Sequence, residues 1–279
     1  VVPVSGTPGR PRVNGEGEAF EYAVQMRQFD TRRGFDHLLA AGALNVDHMD
    51  RTAAMLASFQ ARAKVAAKDA SYGSVDAVLA PVEENFAQIA PYLDSLDSAS
   101  PLHRRIAHLK RWTADRAQRL QPAMARRKAE GFVREGHGDL HLRNIIDWEG
   151  EVVPFDCIEF NADLRWIDVV SELAFLLMDL DDHRHEHLSR RLLNSWLEHS
   201  GDYAGLELLR FYQVYRALVR AKVASLRLAQ SSARTDEARD FSDYITLAEH
   251  YTEEPGPRLL ITHGLSGSGK TWFSQRLLE

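Results

Sequence analysis

The sequence predicts an α+β fold dominated by helices. Three observations carry that prediction. Strand-forming alternation near the N-terminus gives way at Asn45 to long helical patterns. One β-hairpin pattern, at residues 145–155, interrupts the helices. A buried-strand pattern then leads into a glycine-rich loop close to the last residue.

Each element follows from local chemistry. Residues 1–18 hold Pro3, Gly6, Pro8, Gly9, Pro11, Gly15 and Gly17, so 1–4 reads as the end of a strand and the rest as turns. Residues 20–26 alternate and are rich in strand formers, which predicts a strand. Asn45 is placed to cap a helix with Met49, Ala53, Leu56 and Phe59 on one face. Ser74 caps a second, through Val78, Val82 and Phe86. Ser100-Pro101 is a cap followed by proline at the first helical position, opening a helix with Leu102, Ile106, Leu109 and Trp112. That pattern continues, bent at Pro122, to Gly131. Glu149-Gly150 is the turn of the 145–155 hairpin. Residues 166–180 read as a helix burying Ile167, Val170, Leu173, Ala174 and Leu177. Further helices are expected near 186–199, 204–230 and 236–252. Residues 258–262 form a buried-strand pattern after a stiff Pro255-Gly256-Pro257 linker.

Composition excludes several function classes. With 27% charged and 44% apolar residues the chain is globular, not disordered. A formal charge of -6 argues against nucleic acid as a partner. No apolar run approaches the ~20 residues that span a bilayer, so no membrane partner is expected. One cysteine excludes a disulfide framework and fits the reducing cytoplasm. The chain begins at Val1, and its last motif ends nine residues after Lys270, so a piece of a longer protein is expected.

The densest chemistry lies in His137-Gly138-Asp139-Leu140-His141-Leu142-Arg143-Asn144-Ile145. An aspartate stands five residues before an asparagine, and the hairpin then returns to Asp156. Phosphoryl transfer explains that order. The first Asp accepts the proton of an attacking hydroxyl, while the Asn and the second Asp hold magnesium on ATP phosphates. A rival reading has His137, Asp139 and His141 binding a metal from one strand face.

This segment resembles the aminoglycoside phosphotransferase family, a branch of the protein-kinase-like fold. The resemblance spans roughly residues 1–230. It implies Asp139 as catalytic base, Asn144 and Asp156 as metal ligands, ATP and Mg2+ as cofactors, and a small-molecule hydroxyl as acceptor. Protein kinases carry Arg at the position of Gly138 and Phe-Gly after the metal Asp. Here Cys157-Ile158 follows, which favours the small-molecule branch. Asp168 matches a position that braces the catalytic loop in the family. On this reading residues 1–29 are a small-lobe remnant and hinge, and 30–252 the helical large lobe. Residues 253–257 are a linker. The hinge would be Met26-Arg27-Gln28-Phe29, although the residues alone read equally well as a strand and ordinary loop.

Gly264-Leu265-Ser266-Gly267-Ser268-Gly269-Lys270-Thr271 fits G-x-x-x-x-G-K-[ST]. Backbone N–H groups of Gly264, Gly267, Ser268 and Gly269 would close on phosphate oxygens, Lys270 would reach the β- and γ-phosphates, and Thr271 would bind magnesium. The motif is similar to the P-loop kinase and AAA-type ATPase superfamily, so 258–279 reads as the start of an α/β P-loop domain. The strings Phe155-Asp156-Cys157-Ile158-Glu159-Phe160-Asn161 and Tyr22-Ala23-Val24-Gln25-Met26-Arg27 are similar to a group of bacterial proteins that join these two domains. An alternative assigns the chemistry to the P-loop domain and leaves the kinase-like part as a non-catalytic binding module.

Other features have plainer readings. The histidine-rich 182–187 stretch reads as a solvated turn, and Arg126-Arg127-Lys128 as cations at a helix terminus. Asp179, Asp181 and Asp182 read as an exposed helix end, with an acidic rim for a cationic substrate such as an aminoglycoside as the alternative. Cys157 reads as a small buried residue. Phe211, Tyr212 and Tyr215 read as core.

Overall fold

The structure is a computed structural model that describes residues 1–25, 27–230, 234–253 and 260–277. It is α+β. A small antiparallel sheet opens the chain, in strand order β2-β1-β3, from β1 (Val2–Thr7), β2 (Arg10–Val13) and β3 (Glu21–Ala23). The expected turns over 5–18 are therefore partly strand. Pro8-Gly9 makes a hairpin turn, and Pro11 is tolerated because β2 is an exposed edge strand. The 20–26 strand is shorter than expected, and Met26 of the proposed hinge lies outside the described residues.

The segment after Asp30 forms a capped turn and α1 (Phe35–Ala40), which periodicity does not reveal. α2 (Val46–Arg62) starts where Asn45 predicts. The Asn45 side chain accepts from the His48 N–H at 3.2 Å, and the His48 ring faces the Asn45 N–H. Asn45→Ala is expected to cost about 1 kcal/mol of stability, read from a urea titration. Met49, Ala53 and Leu56 are buried, but Phe59 is 38% exposed. The buried stripe turns instead to Gln60, whose carboxamide accepts from Trp196 Nε1 at 2.9 Å and donates to the Val169 carbonyl at 3.1 Å.

α3 (Val75–Asp94) and α4 (Pro101–Ala129) follow their predicted serine caps, and α4 runs through Pro122. Then come β4 (Val133–Glu135), the hairpin β5 (Ile145–Trp148) and β6 (Glu151–Pro154), and α5 (Ala162–Arg165). The predicted 166–180 helix begins later. β7 (Trp166–Asp168) pairs with β4, and Asp168 caps α6 (Val169–Asp182) by accepting the Val170 N–H at 2.9 Å. Ile167 is accordingly only half-buried. All of Val169 through Leu180 is buried, which makes α6 the central helix. α7 (Glu186–Ser200), α8 (Leu206–Gln230) and α9 (Arg234–Thr252) pack around it, α8 against α6, α3 and α9, and α7 against α2. Phe211, Tyr212 and Tyr215 are core, as predicted.

The linker residues 254–257, Arg258 and Leu259 lie outside the described residues; over the described residues 260–262 the expected strand is not formed. Leu260 and Ile261 are 75% and 79% exposed. A parallel-sheet strand holds its shape only by pairing, and no described strand lies beside it. α10 (Lys270–Leu277) does begin at the motif lysine. Among the described residues no helix is long and apolar enough to cross a membrane.

Candidate active site

The chain leaves β4 through Gly136 into the 137–144 loop, and α6 lies beneath it. The loop doubles back at Gly138, where φ is +85° and a Cβ would stand 2.6 Å from the Leu164 carbonyl oxygen. Only glycine fits there. Two acids on α6, seven residues apart and so on one face, hold the loop at both ends. Glu172 accepts the backbone N–H groups of His137 and, at 3.3 Å, of Gly138. Asp179 accepts the Leu142 N–H at 2.9 Å. Arg216 of α8 donates to the Gly138 carbonyl at 3.2 Å.

The loop's own side chains complete the frame. The His137 ring donates from Nε2 to the Phe155 carbonyl at 2.7 Å and accepts the Asp139 N–H at Nδ1, at 3.3 Å. This ties the loop to the hairpin. The hairpin is fixed in turn by buried Asp147, which pairs with Arg33 at 2.6 Å and accepts the Gly150 N–H at 3.0 Å.

Of the three predicted catalytic and metal residues, Asp139 and Asn144 are in direct contact, and Asp156 lies one residue beyond a backbone bond to Asn144. Asn144 spends its amide nitrogen on Asp139, at 2.9 Å to the carbonyl and 3.2 Å to Oδ2. Its Oδ1 is thereby directed away from Asp139. The Asn144 carbonyl accepts the Phe155 N–H at 3.0 Å, so Asp156 follows directly from a residue bonded to Asn144. Asp156 is exposed and has φ +59°, a left-handed backbone uncommon outside glycine and characteristic of functional turns. His141 Nε2 lies 3.4 Å from Asp139 Oδ2. Burial pushes the Asp139 carboxyl up, but the hydrogen bond and charge of His141, with Arg216 and His137, outweigh burial and hold it below its ordinary value. It stays an anion, the form a base requires.

Several expectations are corrected. Asp168 does not brace the loop. It pairs with Arg127 at 2.7 Å, and Arg127 also pairs with Asp202 at 2.6 Å, all three buried. Arg127 is thus no solvated terminal cation. Its stem comes off α4 facing inward, and its guanidinium lies 4.2 Å over the Phe132 ring. Asp179 is buried too, because α6 is covered at the position where its last turn meets the loop. Cys157 is exposed, since the chain after Asp156 runs over the surface. His137, Asp139 and His141 do not converge on one point. Their rings are turned to Phe155, Asp139 and Phe175. Among the described residues the carboxylate–histidine group that does converge is Asp179, Asp182 and His183, within 4.8 Å. The 182–187 turn is thus solvated only in part.

Glu172 and Asp179, which hold the 137–144 loop, are the residues of the candidate site that sequence reasoning missed. Their signal was two acids two turns apart inside an otherwise apolar helix.

The second motif stands on the surface. Gly264, Gly267 and Gly269 have φ of +157°, +78° and +82°. Lys270 Nζ donates to the carbonyls of Gly264 and Leu265, each at 2.7 Å, so the ammonium folds over its own loop. Ser268 closes the loop by donating its N–H to the Leu265 carbonyl at 3.2 Å, and Thr271 is exposed on the first turn of α10.

No family model matches the chain. It is similar to the uncharacterized protein Rv2004c of Mycobacterium tuberculosis (strain H37Rv), at 30% identity over 259 residues, 93% of this chain and 51% of that one. The uncharacterized protein Mb2027c of Mycobacterium bovis matches to the same extent. The chain therefore spans about half the length of the curated relatives it matches.

Proposed function

We propose that the chain carries the catalytic lobe of a protein-kinase-like phosphotransferase, similar to the aminoglycoside phosphotransferase family. It would move the γ-phosphoryl group of ATP to a hydroxyl of a small molecule. The observation that carries this reading is Asn144: its amide nitrogen is committed to Asp139, and its backbone carbonyl accepts the N–H of Phe155, the residue before Asp156. One amide oxygen and one exposed carboxylate suit magnesium, which takes oxygen ligands and keeps several waters. Asn144 and Asp156 would hold it, and bound there it neutralises charge on the phosphates.

The proton work belongs to Asp139. Its Oδ2 faces Asn144 and His141, so Oδ1 is the atom for the acceptor hydroxyl. As the hydroxyl oxygen bonds to the γ-phosphorus, its proton passes to Asp139 and the bond to the β-phosphate oxygen breaks, releasing ADP. Glu172, Asp179 and Arg216 position the loop without touching the reacting atoms.

Residues 264–271 support a second phosphate site, with Gly264, Gly267, Ser268, Gly269 and Lys270 as donors and Thr271 as a metal hydroxyl. A cytoplasmic location goes with this reading, since the single cysteine calls for no oxidising compartment.

Manganese binding tests the assignment of the metal ligands. Paramagnetic Mn2+ added with ADP is expected to broaden the amide resonances around Asn144 and Asp156, and Asp156→Ala should remove that broadening. Broadening confined to Asp179, Asp182 and His183 would place the metal elsewhere and end the reading.

A further inference from the structure

A cavity of about 870 Å3 lies between the end of α6, α7, α8 and α9. A smaller one of about 230 Å3 shares Asp182, His183 and Asp243 with it and reaches Leu142 and Arg143 of the 137–144 loop. The two adjoin as halves of one cleft that reaches the loop carrying Asp139. We propose that the larger half holds the distal part of a neutral, polyhydroxylated acceptor of oligosaccharide type. This deepens the phosphotransferase reading and rests on it for the direction in which the acceptor lies.

Three observations carry the proposal. The first is Gln213 on α8. It is 7% exposed, lines the larger cavity, and its carboxamide has no hydrogen-bond partner among the described residues. An amide that lines a cavity and has no partner in the protein keeps its donor and its acceptor free for a ligand. A carboxamide offers both functions at once, as a sugar hydroxyl requires.

The second is charge. Among the described residues, four arginines and four carboxylates line this cavity. Arg239 lies 3.7 Å from Asp243 and pairs with it within the lining, and Asp181 is hydrogen-bonded by the Tyr251 hydroxyl at 2.6 Å. Such a lining has no surplus of either sign with which to hold a polycation or a polyanion, and ligands of those classes would leave charges unpaired. The third is the wall. Leu177, Leu193 and Leu209 lie beside these polar groups. Apolar faces alternating with hydrogen-bonding groups match a sugar ring, which carries C–H faces and hydroxyl edges. The volume also lies in the range of sites that enclose a ligand of two or three rings.

Saturation-transfer NMR on the protein tests this with three probes: maltotriose, the polycation kanamycin and the anion glucose 6-phosphate. Maltotriose is expected to bind at millimolar concentration. Gln213→Leu should weaken it about tenfold. The same substitution should leave the melting temperature unchanged or raised, because the buried amide has no partner to lose. Leu193→Trp, which fills the cavity, should abolish binding. Absence of maltotriose binding would overturn the proposal. So would binding that neither substitution alters, tighter binding of either charged probe, or a fall in melting temperature for Gln213→Leu that shows a structural role.

Asp139→Asn separates this inference from the reading it rests on. It should leave maltotriose binding intact while removing phosphoryl transfer. Sugar binding without any transfer activity keeps the cavity assignment and ends the phosphotransferase reading. Transfer without sugar binding does the reverse.

Discussion

Asp139→Asn is expected to lower phosphoryl transfer by about a thousandfold, the usual scale for loss of a positioned general base. The substitution keeps the size of the side chain and removes only its capacity to take a proton. The fold should survive, because the loop is held by Glu172, Asp179 and Arg216 and not by this carboxylate. Steady-state kinetics and a melting curve together check both halves. Undiminished turnover in Asp139→Asn and in Asp156→Ala would sink the assignment. If Lys270→Ala abolished nucleotide turnover and Asp139→Asn left it intact, the chemistry would belong to the 264–271 site instead.

Arg127→Ala should cost about 3–5 kcal/mol of stability, the largest structural effect of any single side chain named above. Arg127 is 1% exposed and serves two buried carboxylates, Asp168 and Asp202, through four hydrogen bonds. Without it, two like charges remain in the interior with no cation between them. Asp168→Asn should cost less, since Arg127 keeps Asp202. The effect also reaches the site. Asp168 caps α6, and α6 carries the two acids that hold the catalytic loop, so activity should fall with stability. A urea titration that finds a loss below about 1 kcal/mol for Arg127→Ala would show the triad to be dispensable.

How the sequence revealed the site differs from residue to residue. The hairpin between Asn144 and Asp156 was legible because a hairpin is a local structure, and the contact of Asn144 with Asp139 because the two share one short loop. Helix starts at Asn45, Ser74 and Ser100 were legible for the same reason, since a cap acts on the next few residues. The strand at residues 258–262 misled. Its apolar run is right for a parallel sheet, but a strand is not a local structure and needs a neighbour to exist. Phe59 misled more mildly. Period alone allows either Phe59 or Gln60 at the inner position, and the partners waiting at Trp196 and Val169 decide for Gln60.

The sequence by itself determined the helix caps, the hairpin turn, the order of Asp139, Asn144 and Asp156 along the chain and the glycine loop before Lys270. All of these depend on residues within a few positions of one another. Tertiary structure alone decided which charges became structural. Asp179 and Arg127 read as solvent-exposed helix ends, and Asp168 as a brace of the loop, until α6 was surrounded. An acid inside a buried helix must then find an N–H or a guanidinium, and here those partners are Leu142 of the catalytic loop and Arg127 of α4. The same packing left Gln213 with no partner at the wall of a cavity. Pairing across the interior depends on which elements meet, and spacing along the chain does not encode it.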